Sequence, residues 1–294
     1  MKTFLLAFLI HVFCYVSLSA KPHGVDPAFE SLVTKIISDG GDSLQVVTLF
    51  QDSRIHFVDR IVSKNMIPRN NPADYQGFLV DIQIEEGRRF LQTKKTELDA
   101  TLKDSKIPAE IIVAILKVES NLGRRAGKIP VLAVFATISS LNNPRFWQPI
   151  ADTSRTITTA KLKKRAYRRS KWAYRELTSF FEACEVNNWN PLEINGSWAG
   201  AFGWAQFLPS SYLSYARDGN GDAVIDPYNL QDAVASIACY LKKSGWGISE
   251  NSMRRAIHRY NPSSAYVDCI IEYAHRLKEI PTSGKEDMPG AKSG

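Results

Sequence analysis

Apolar residues recur at helical spacing in one segment after another, and no segment sustains the apolar–polar alternation of a half-buried strand. Phe29, Leu32, Val33, Ile36 and Ile37 share one helix face, with Asp26-Pro27 ahead as a start signal and Gly40-Gly41 behind as a stop. Asn70-Asn71-Pro72 marks a loop. The same pattern predicts one long helix over 78–102, helices beginning near Pro108 and Pro130, and helices over 162–186, 231–243, 250–258 and 264–278. No internal repeat is present. The fold class is therefore mainly α, and 294 residues at 44% hydrophobic composition suffice for one large domain or two small ones. The segment from Thr282 to Gly294 has Met288 as its single large apolar residue and reads as a flexible tail.

The first twenty residues have the pattern of a secretory signal: Lys2, an apolar run from Phe4 to Val16, then small residues up to Ala20. The run is short for a membrane span. Phe13 is bulky where a lipoprotein signal needs a small residue before Cys14, so an exported, cell-envelope protein without a lipid anchor is expected. Cys184, Cys239 and Cys269 then remain, an odd number that makes no complete disulfide framework. Cys239 and Cys269 sit in apolar helical patterns and read as small buried hydrophobes. The net charge of +7 favours an anionic or polar partner. Much of the charge lies in KLKKRAYRRSKWAYR (161–175), with eight cations in fifteen residues. Such a block fits a solvated helix face with Tyr167, Trp172 and Tyr174 turned inward, a surface facing an anionic cell wall, or a nucleic-acid site. Export disfavours the last.

The helix predicted in IPAEIIVAILKVESNLG (107–123) carries a carboxylate in an unusual place. Its apolar stripe runs Ile111, Ile112, Ile115, Leu116, and the next position on that stripe is Glu119, shortly before Gly123 ends the helix. A carboxyl held in a dry pocket has a raised pKa, which suits a general acid working near neutral pH. A glutamate at a helix end also curls into solvent or pairs with a neighbour such as Arg124 or Arg125, and spacing alone leaves both readings open.

Further on, GSWAGAFGWAQFLPSSY (196–212) sets six Gly or Ala residues beside Trp198, Phe202, Trp204 and Phe207. Small residues admit close approach of another group. Together with Glu119-Ser120-Asn121-Leu122-Gly123 and His258-Arg259-Tyr260-Asn261-Pro262-Ser263, this segment resembles the ordered signatures of the membrane-bound lytic murein transglycosylase B family. The first is similar to the ESxxG motif of lytic transglycosylases and goose-type lysozymes. GKIPVLAVFATIS (127–139) and DPYNLQDAVASIACYLKKSGW (226–246) are similar to the same family, so the resemblance spans roughly 75–280. Ser120 stands where many B-type relatives have Thr, which leans toward the wider ESxxG pattern.

The resemblance implies a lysozyme-like core from about 105–145 and 190–280, a helical insertion at 146–189, further accessory helical layers at the N-terminus, and a catalytic region over 21–281. It implies that the small residues let the chain approach a glycan strand in a cleft. Carried over by position, Ser197 and Gln206 would hydrogen-bond near the catalytic carboxyl and sugar, Phe207 would shape the floor, Tyr240 and Tyr260 would line the cleft, and Asn261 would contact the saccharide. Phe207 and Tyr240 are equally at home in a core. Most glycoside hydrolases use two carboxylates, but the resemblance implies that Glu119 suffices, protonating the leaving oxygen and then accepting the proton of the muramoyl C6 hydroxyl. The implied partners are peptidoglycan glycan strands, with other cell-wall enzymes as candidates. Neither nucleic acid nor an organic cofactor is expected. A hydrolytic muramidase and a non-catalytic wall-binding protein are the competing readings.

Asp218, Asn220, Asp222 and Asp226 occupy positions 1, 3, 5 and 9 of an EF-hand-like loop. Ala223 replaces the usual Gly at position 6, and Asn229 replaces the usual Glu at position 12. The family resemblance implies a longer loop closed by Asp232, so that Asp218, Asn220, Asp222, Asp232 and the Val224 carbonyl would hold a structural Ca²⁺. A plain Asx-rich turn is the simpler alternative.

Overall fold

The computed structural model describes residues 24–67, 74–153 and 157–279. The expected signal sequence with Cys14, the Asn70-Asn71-Pro72 loop and the tail from 282 lie outside the described residues. Thirteen α-helices account for most of the described chain: α1 (Glu30–Ser38), α2 (Ser43–Phe50), α3 (Asp59–Met66), α4 (Asp81–Thr93), α5 (Lys95–Leu102), α6 (Ala109–Ser120), α7 (Val131–Ser139), α8 (Gln148–Thr153), α9 (Thr159–Val186), α10 (Pro209–Tyr215), α11 (Leu230–Lys243), α12 (Glu250–Tyr260) and α13 (Ser264–Lys278). One antiparallel pair joins them, β1 (Ile129–Pro130) with β2 (Asn195–Gly196), and it is too short to leave an alternation in the sequence.

At the centre lies α7, every residue of it buried. Helix α9 packs along it, and α13 packs on α6 and α4. Tyr273 of α13 lies so close to Gly87 of α4 that a β-carbon there would sit 2.4 Å from its hydroxyl, and that hydroxyl donates to the Gln83 carbonyl at 2.5 Å. The single helix predicted over 78–102 is two. The chain leaves helical geometry at Lys94 (φ −104°, ψ 13°), because α4 packs on α6 and α13 whereas α5 packs on α11. Asp26 does not cap a helix directly. It accepts from Ala28 N and, across the chain, from Phe57 N, both at 2.8 Å, and α1 starts at Glu30.

In α9 the expectation of three inward aromatics is corrected. Trp172 packs edge-on against Phe135 and Tyr174 bonds Asp39, but Tyr167 is 59% exposed. It projects outward because Leu162, Ala166, Ala173 and Leu177 already form the inward face. All three described cysteines are free thiols, with Cys184 and Cys269 buried and Cys239 only half-buried.

Candidate active site

Helix α6 ends as its sequence requires. After Ser120 the chain takes three consecutive left-handed residues, Asn121 (φ 51°), Leu122 (φ 58°) and Gly123 (φ 83°). Leu122 N reaches back to the Leu116 carbonyl at 3.0 Å, and the Ser120 hydroxyl accepts from Gly123 N at 3.1 Å. This C-cap fixes where the last turn, and with it Glu119, points. The indole of Trp204 fills the space at Gly123, where a β-carbon would lie 2.2 Å from the ring.

Glu119 points where its stripe predicts. Some of its surface stays open, yet its carboxyl is desolvated, and this pushes its pKa up to about 7 against the opposing pull of Tyr266. Tyr266 of α13, itself fully buried, donates its hydroxyl to Glu119 Oε1 at 2.7 Å. Neither Arg124 nor Arg125 pairs with the acid. Arg124 is drawn instead to Glu86 on α4 at 2.8 Å, and Glu86 also receives the ammonium of the fully buried Lys117. Lys117 and Arg124 hold the Glu86 carboxyl below the usual carboxylate range. This cluster locks α6 to α4 and keeps cations away from Glu119.

The aromatic residues named from sequence come together. Tyr240 and Tyr260 meet edge to face with centroids 4.8 Å apart, and Phe207 lies 5.8 Å from each. Tyr215, which sequence reasoning did not single out, joins them 4.4 Å from Tyr240. The hydroxyl of Tyr260 donates to the Ala205 carbonyl at 2.5 Å, and that of Tyr240 to the Arg259 carbonyl at 2.6 Å. Burial first, and then the Glu119 charge, raise the Tyr260 pKa, so this cluster borders the acid. Asn261 follows directly as the C-cap of α12, its backbone extended (φ −138°). Tyr75 stacks edge-on to Tyr266 at 5.6 Å.

The Gln206 side chain and the Ser197 backbone are bonded within the loop. Gln206 is left-handed (φ 48°), and its amide nitrogen donates to the carbonyls of Ala126 (3.0 Å) and Gly203 (2.9 Å). Ser197 opens a turn closed by Gly200 N, and its own N–H bonds the Ala201 carbonyl at 2.7 Å. The hydrogen bond on Glu119 comes from Tyr266, not from either of these side chains. The small residues of this segment admit the protein's own atoms. A β-carbon at Gly200 would meet the Phe135 ring at 2.3 Å, one at Gly203 would meet Pro227 at 2.6 Å, and one at Gly196 would meet the Ala201 carbonyl at 2.5 Å.

Tyr266 is the residue that sequence reasoning missed. Its place on the buried stripe Tyr266, Val267, Ile270, Tyr273, Ala274, Leu277 marks it as internal, but nothing in the spacing pairs it with a carboxyl 147 positions away.

The loop 218–232 directs its oxygens to backbone amides. Asp218 accepts from Gly221 N (2.6 Å) and Ala223 N (2.8 Å), Asn220 from Asp222 N (3.0 Å), and Asp222 from Val224 N (2.8 Å). Asp232, buried at the start of α11, accepts from Gly219 N (2.8 Å) and Asp226 N (2.7 Å). Among the described residues no three His, Cys, Asp or Glu side chains converge as a metal site. Open surface depressions of about 590 and 320 Å³ lie at Leu102–Pro108 and between α12 and α13, and neither is lined by Glu119.

The family model described as the transglycosylase SLT domain matches residues 24–254. Membrane-bound lytic murein transglycosylase B of Escherichia coli K12 is 32% identical over 234 residues, which cover 75% of this chain and 58% of that protein, so the chain spans little more than half of this relative's length. The structure of lytic transglycosylase Slt35 of E. coli in complex with calcium superposes with a TM-score of 0.67 at 21% identity, covering 88% of this chain and 98% of that one. SltB3 of Pseudomonas aeruginosa in complex with NAG-anhNAM-pentapeptide superposes with a TM-score of 0.67 at 20% identity, covering 85% and 79%. The helical fold is thus that of known lytic transglycosylases, and the match over 24–254 makes the chain a member of the transglycosylase SLT domain family.

Proposed function

We propose that this chain is an exported peptidoglycan lytic transglycosylase that cleaves the MurNAc–GlcNAc β-1,4 bond and leaves 1,6-anhydro-MurNAc ends, with Glu119 as its single acid and base. The observation that carries the reading is the desolvated carboxyl of Glu119, held by Tyr266 and protonated up to about pH 7. Neutral Glu119 donates its proton to the oxygen leaving C1 of the muramoyl unit. The substrate's own N-acetyl group shields the cationic centre. The Glu119 carboxylate then takes the proton of the C6 hydroxyl as that oxygen bonds to C1, and the acid is regenerated. Attack from within one sugar has a high effective concentration, so it outruns water. Ser197, Gln206, Phe207, Tyr240, Tyr260 and Asn261 form the saccharide-binding surface beside the acid, and 146–189 is an addition to a lysozyme-like core. The naming of the E. coli relative and the anhydro sugar bound by SltB3 support the substrate and the product.

The pH profile tests the role of the acid. Because Glu119 must start protonated, kcat/KM falls as pH rises through about 7. The Tyr266 bond favours the carboxylate, so Tyr266→Phe raises the Glu119 pKa further and moves the alkaline limb to higher pH. A limb that stays put or moves down contradicts the assignment.

The loop 218–232 is proposed to take a structural Ca²⁺. Its donors are hard oxygens, from Asp218, Asn220, Asp222, Asp232 and the Val224 carbonyl, and these fit a calcium ion. Burial, and then the charges of Asp218 and Asp222, raise the Asp232 pKa, a crowding that a cation relieves. Ala223 at φ 66° holds a left-handed backbone at the loop's sixth position. Bound calcium would tie the loop to α11 and takes no part in the chemistry. At a hundredfold excess over its Kd, Ca²⁺ stabilises by about 2.7 kcal/mol, a rise of several degrees in Tm. A melting curve unmoved by Ca²⁺ or chelator contradicts this site.

Among the described residues no helix is long and apolar enough to cross a membrane. Export is proposed from the signal pattern at 1–20.

A further inference from the structure

Helix α9 carries a straight row of like charges on its outer face. Lys161, Lys164, Arg168, Lys171 and Arg175 follow one another at three- and four-residue steps, opposite the buried row Leu162, Ala166, Ala173, Leu177 and Phe180. All five are exposed. At 1.5 Å per residue the row runs about 21 Å. Lys163 and the exposed Tyr167 lie beside it, with the Lys171 ammonium over the Tyr167 ring at 5.2 Å. Residues 159–175 contain no acid at all. The first acid on the helix, Glu176, is buried and bonded by Ser210 at 2.9 Å.

Nothing within the described residues neutralises this row. Every ion pair they form lies elsewhere. Asp39, which meets the Tyr174 hydroxyl, is already paired with Lys35. The two inward cations of the block, Arg165 and Arg169, are held by neutral acceptors on Asn65 of α3, Arg165 through the backbone carbonyl at 2.6 Å and Arg169 through Oδ1. Like charges at helical neighbour spacing repel one another, and an exposed face normally mixes both signs. The segregation therefore fits a linear array of anions. The inward side of the same block, through Asn65, reaches the 196–212 segment. Asn65 adjoins Lys64, whose ammonium lies over the Trp198 ring at 5.3 Å, and Ser197 is the next residue.

We propose that the outer face of α9 is a docking surface for the carboxylates of the peptide stems that peptidoglycan displays along its glycan strands. The row holds the enzyme on the sheet through charge while Glu119 acts on the glycan. This rests on the proposed function for the identity of the polymer, but not on turnover.

The test is binding of the full chain to purified peptidoglycan sacculi across a salt series, in the Glu119→Gln background so that the sheet is not consumed. It compares that protein with one carrying Lys164→Glu, Arg168→Glu and Lys171→Glu, and with the milder Gln triple. These three side chains are exposed, and an unchanged Tm verifies the fold. At low salt the Glu triple loses on the order of tenfold in affinity, the Gln triple loses less, and both show a flatter salt dependence. Sacculi with amidated carboxylates bind the unmodified face as weakly as they bind the Glu triple. With Glu119 restored, the Glu triple turns over short stem-free glycan at the native rate. Equal retention of the charge variants, or equal binding to amidated sacculi, overturns the proposal. So does tighter binding of the face to duplex DNA or to vesicles of anionic phospholipid than to sacculi. Because retention is read without cleavage, an inactive native protein would sink the proposed function and leave this result readable.

Discussion

Glu119→Gln lowers turnover of peptidoglycan by about 10²–10⁴-fold and leaves affinity for glycan strands close to native. Glutamine keeps the size of the side chain and accepts the Tyr266 hydrogen bond, so the surroundings of the site persist. Its amide is too weak an acid to protonate the leaving oxygen and too weak a base to take the proton of the C6 hydroxyl, so both halves of the proposed reaction fail together. The same substitution has a signature in stability. The Glu119 pKa lies at about 7 in the folded chain against 4.5 when exposed. As pH rises from 4.5 the unfolded chain gives up this proton while the native chain keeps it, so native stability falls through this window and levels off above about 7. The full penalty is at most about 3 kcal/mol. Glu119→Gln removes the titration, so the variant melts several degrees above the native protein at pH 8 and beside it near pH 4. Equal melting at pH 8 would show that the carboxyl is not desolvated, whatever the activity.

Gly127→Ala unfolds or strongly destabilises the segment that joins the acid to its aromatic neighbours. Gly127 sits at φ 103°, where an alanine is strained, and its β-carbon would lie 2.0 Å from the carbonyl carbon of Gly196. The neighbour is backbone on β2, paired to β1 through Ile129 and Gly196, and has no rotamer with which to yield. Strain at the left-handed position and overpacking each cost about 1–3 kcal/mol, so a loss of about 3 kcal/mol or more is expected, with a fall in Tm near 10 °C. Denaturant unfolding measures it. Gly221→Ala is the control: it shares the positive φ (79°), but nothing lies within 4 Å of the added carbon, so only the strain is incurred. If the two variants lose equal stability, close backbone approach is not what Gly127 is for.

The contrast between these two sites explains how far the sequence could be read. Glu119 was legible because the stripe Ile111, Ile112, Ile115, Leu116 is a local property of one helix, and the structure buries all four of those residues. Lys117 was not, because it leaves the stripe and its buried ammonium is taken up by Glu86 on another helix and by Asn121 beyond the end of its own. Tyr266 stood on a visible apolar stripe, but its pairing with Glu119 arises when α13 packs on α6, and no periodicity carries that information. The small residues of 196–212 announced a close approach without naming what approaches, and the structure supplies Phe135, Pro227 and the Ala201 carbonyl. The break at Lys94 was hidden because both halves are good helix; the two helices part only because their partners lie in different places. In the loop 218–232 the spacing of oxygens was plain, but not the backbone amides that take them up.

Mass analysis of the products released from purified peptidoglycan in ¹⁸O-labelled water bears most directly on the assignment of Glu119 as sole acid and base. The expected products are muropeptides with 1,6-anhydro ends, lighter by one water than the hydrolysis products, carrying no ¹⁸O at C1, and absent when Glu119 is Gln. Reducing ends that carry one ¹⁸O would contradict that assignment, since water and not the C6 hydroxyl would then have attacked C1.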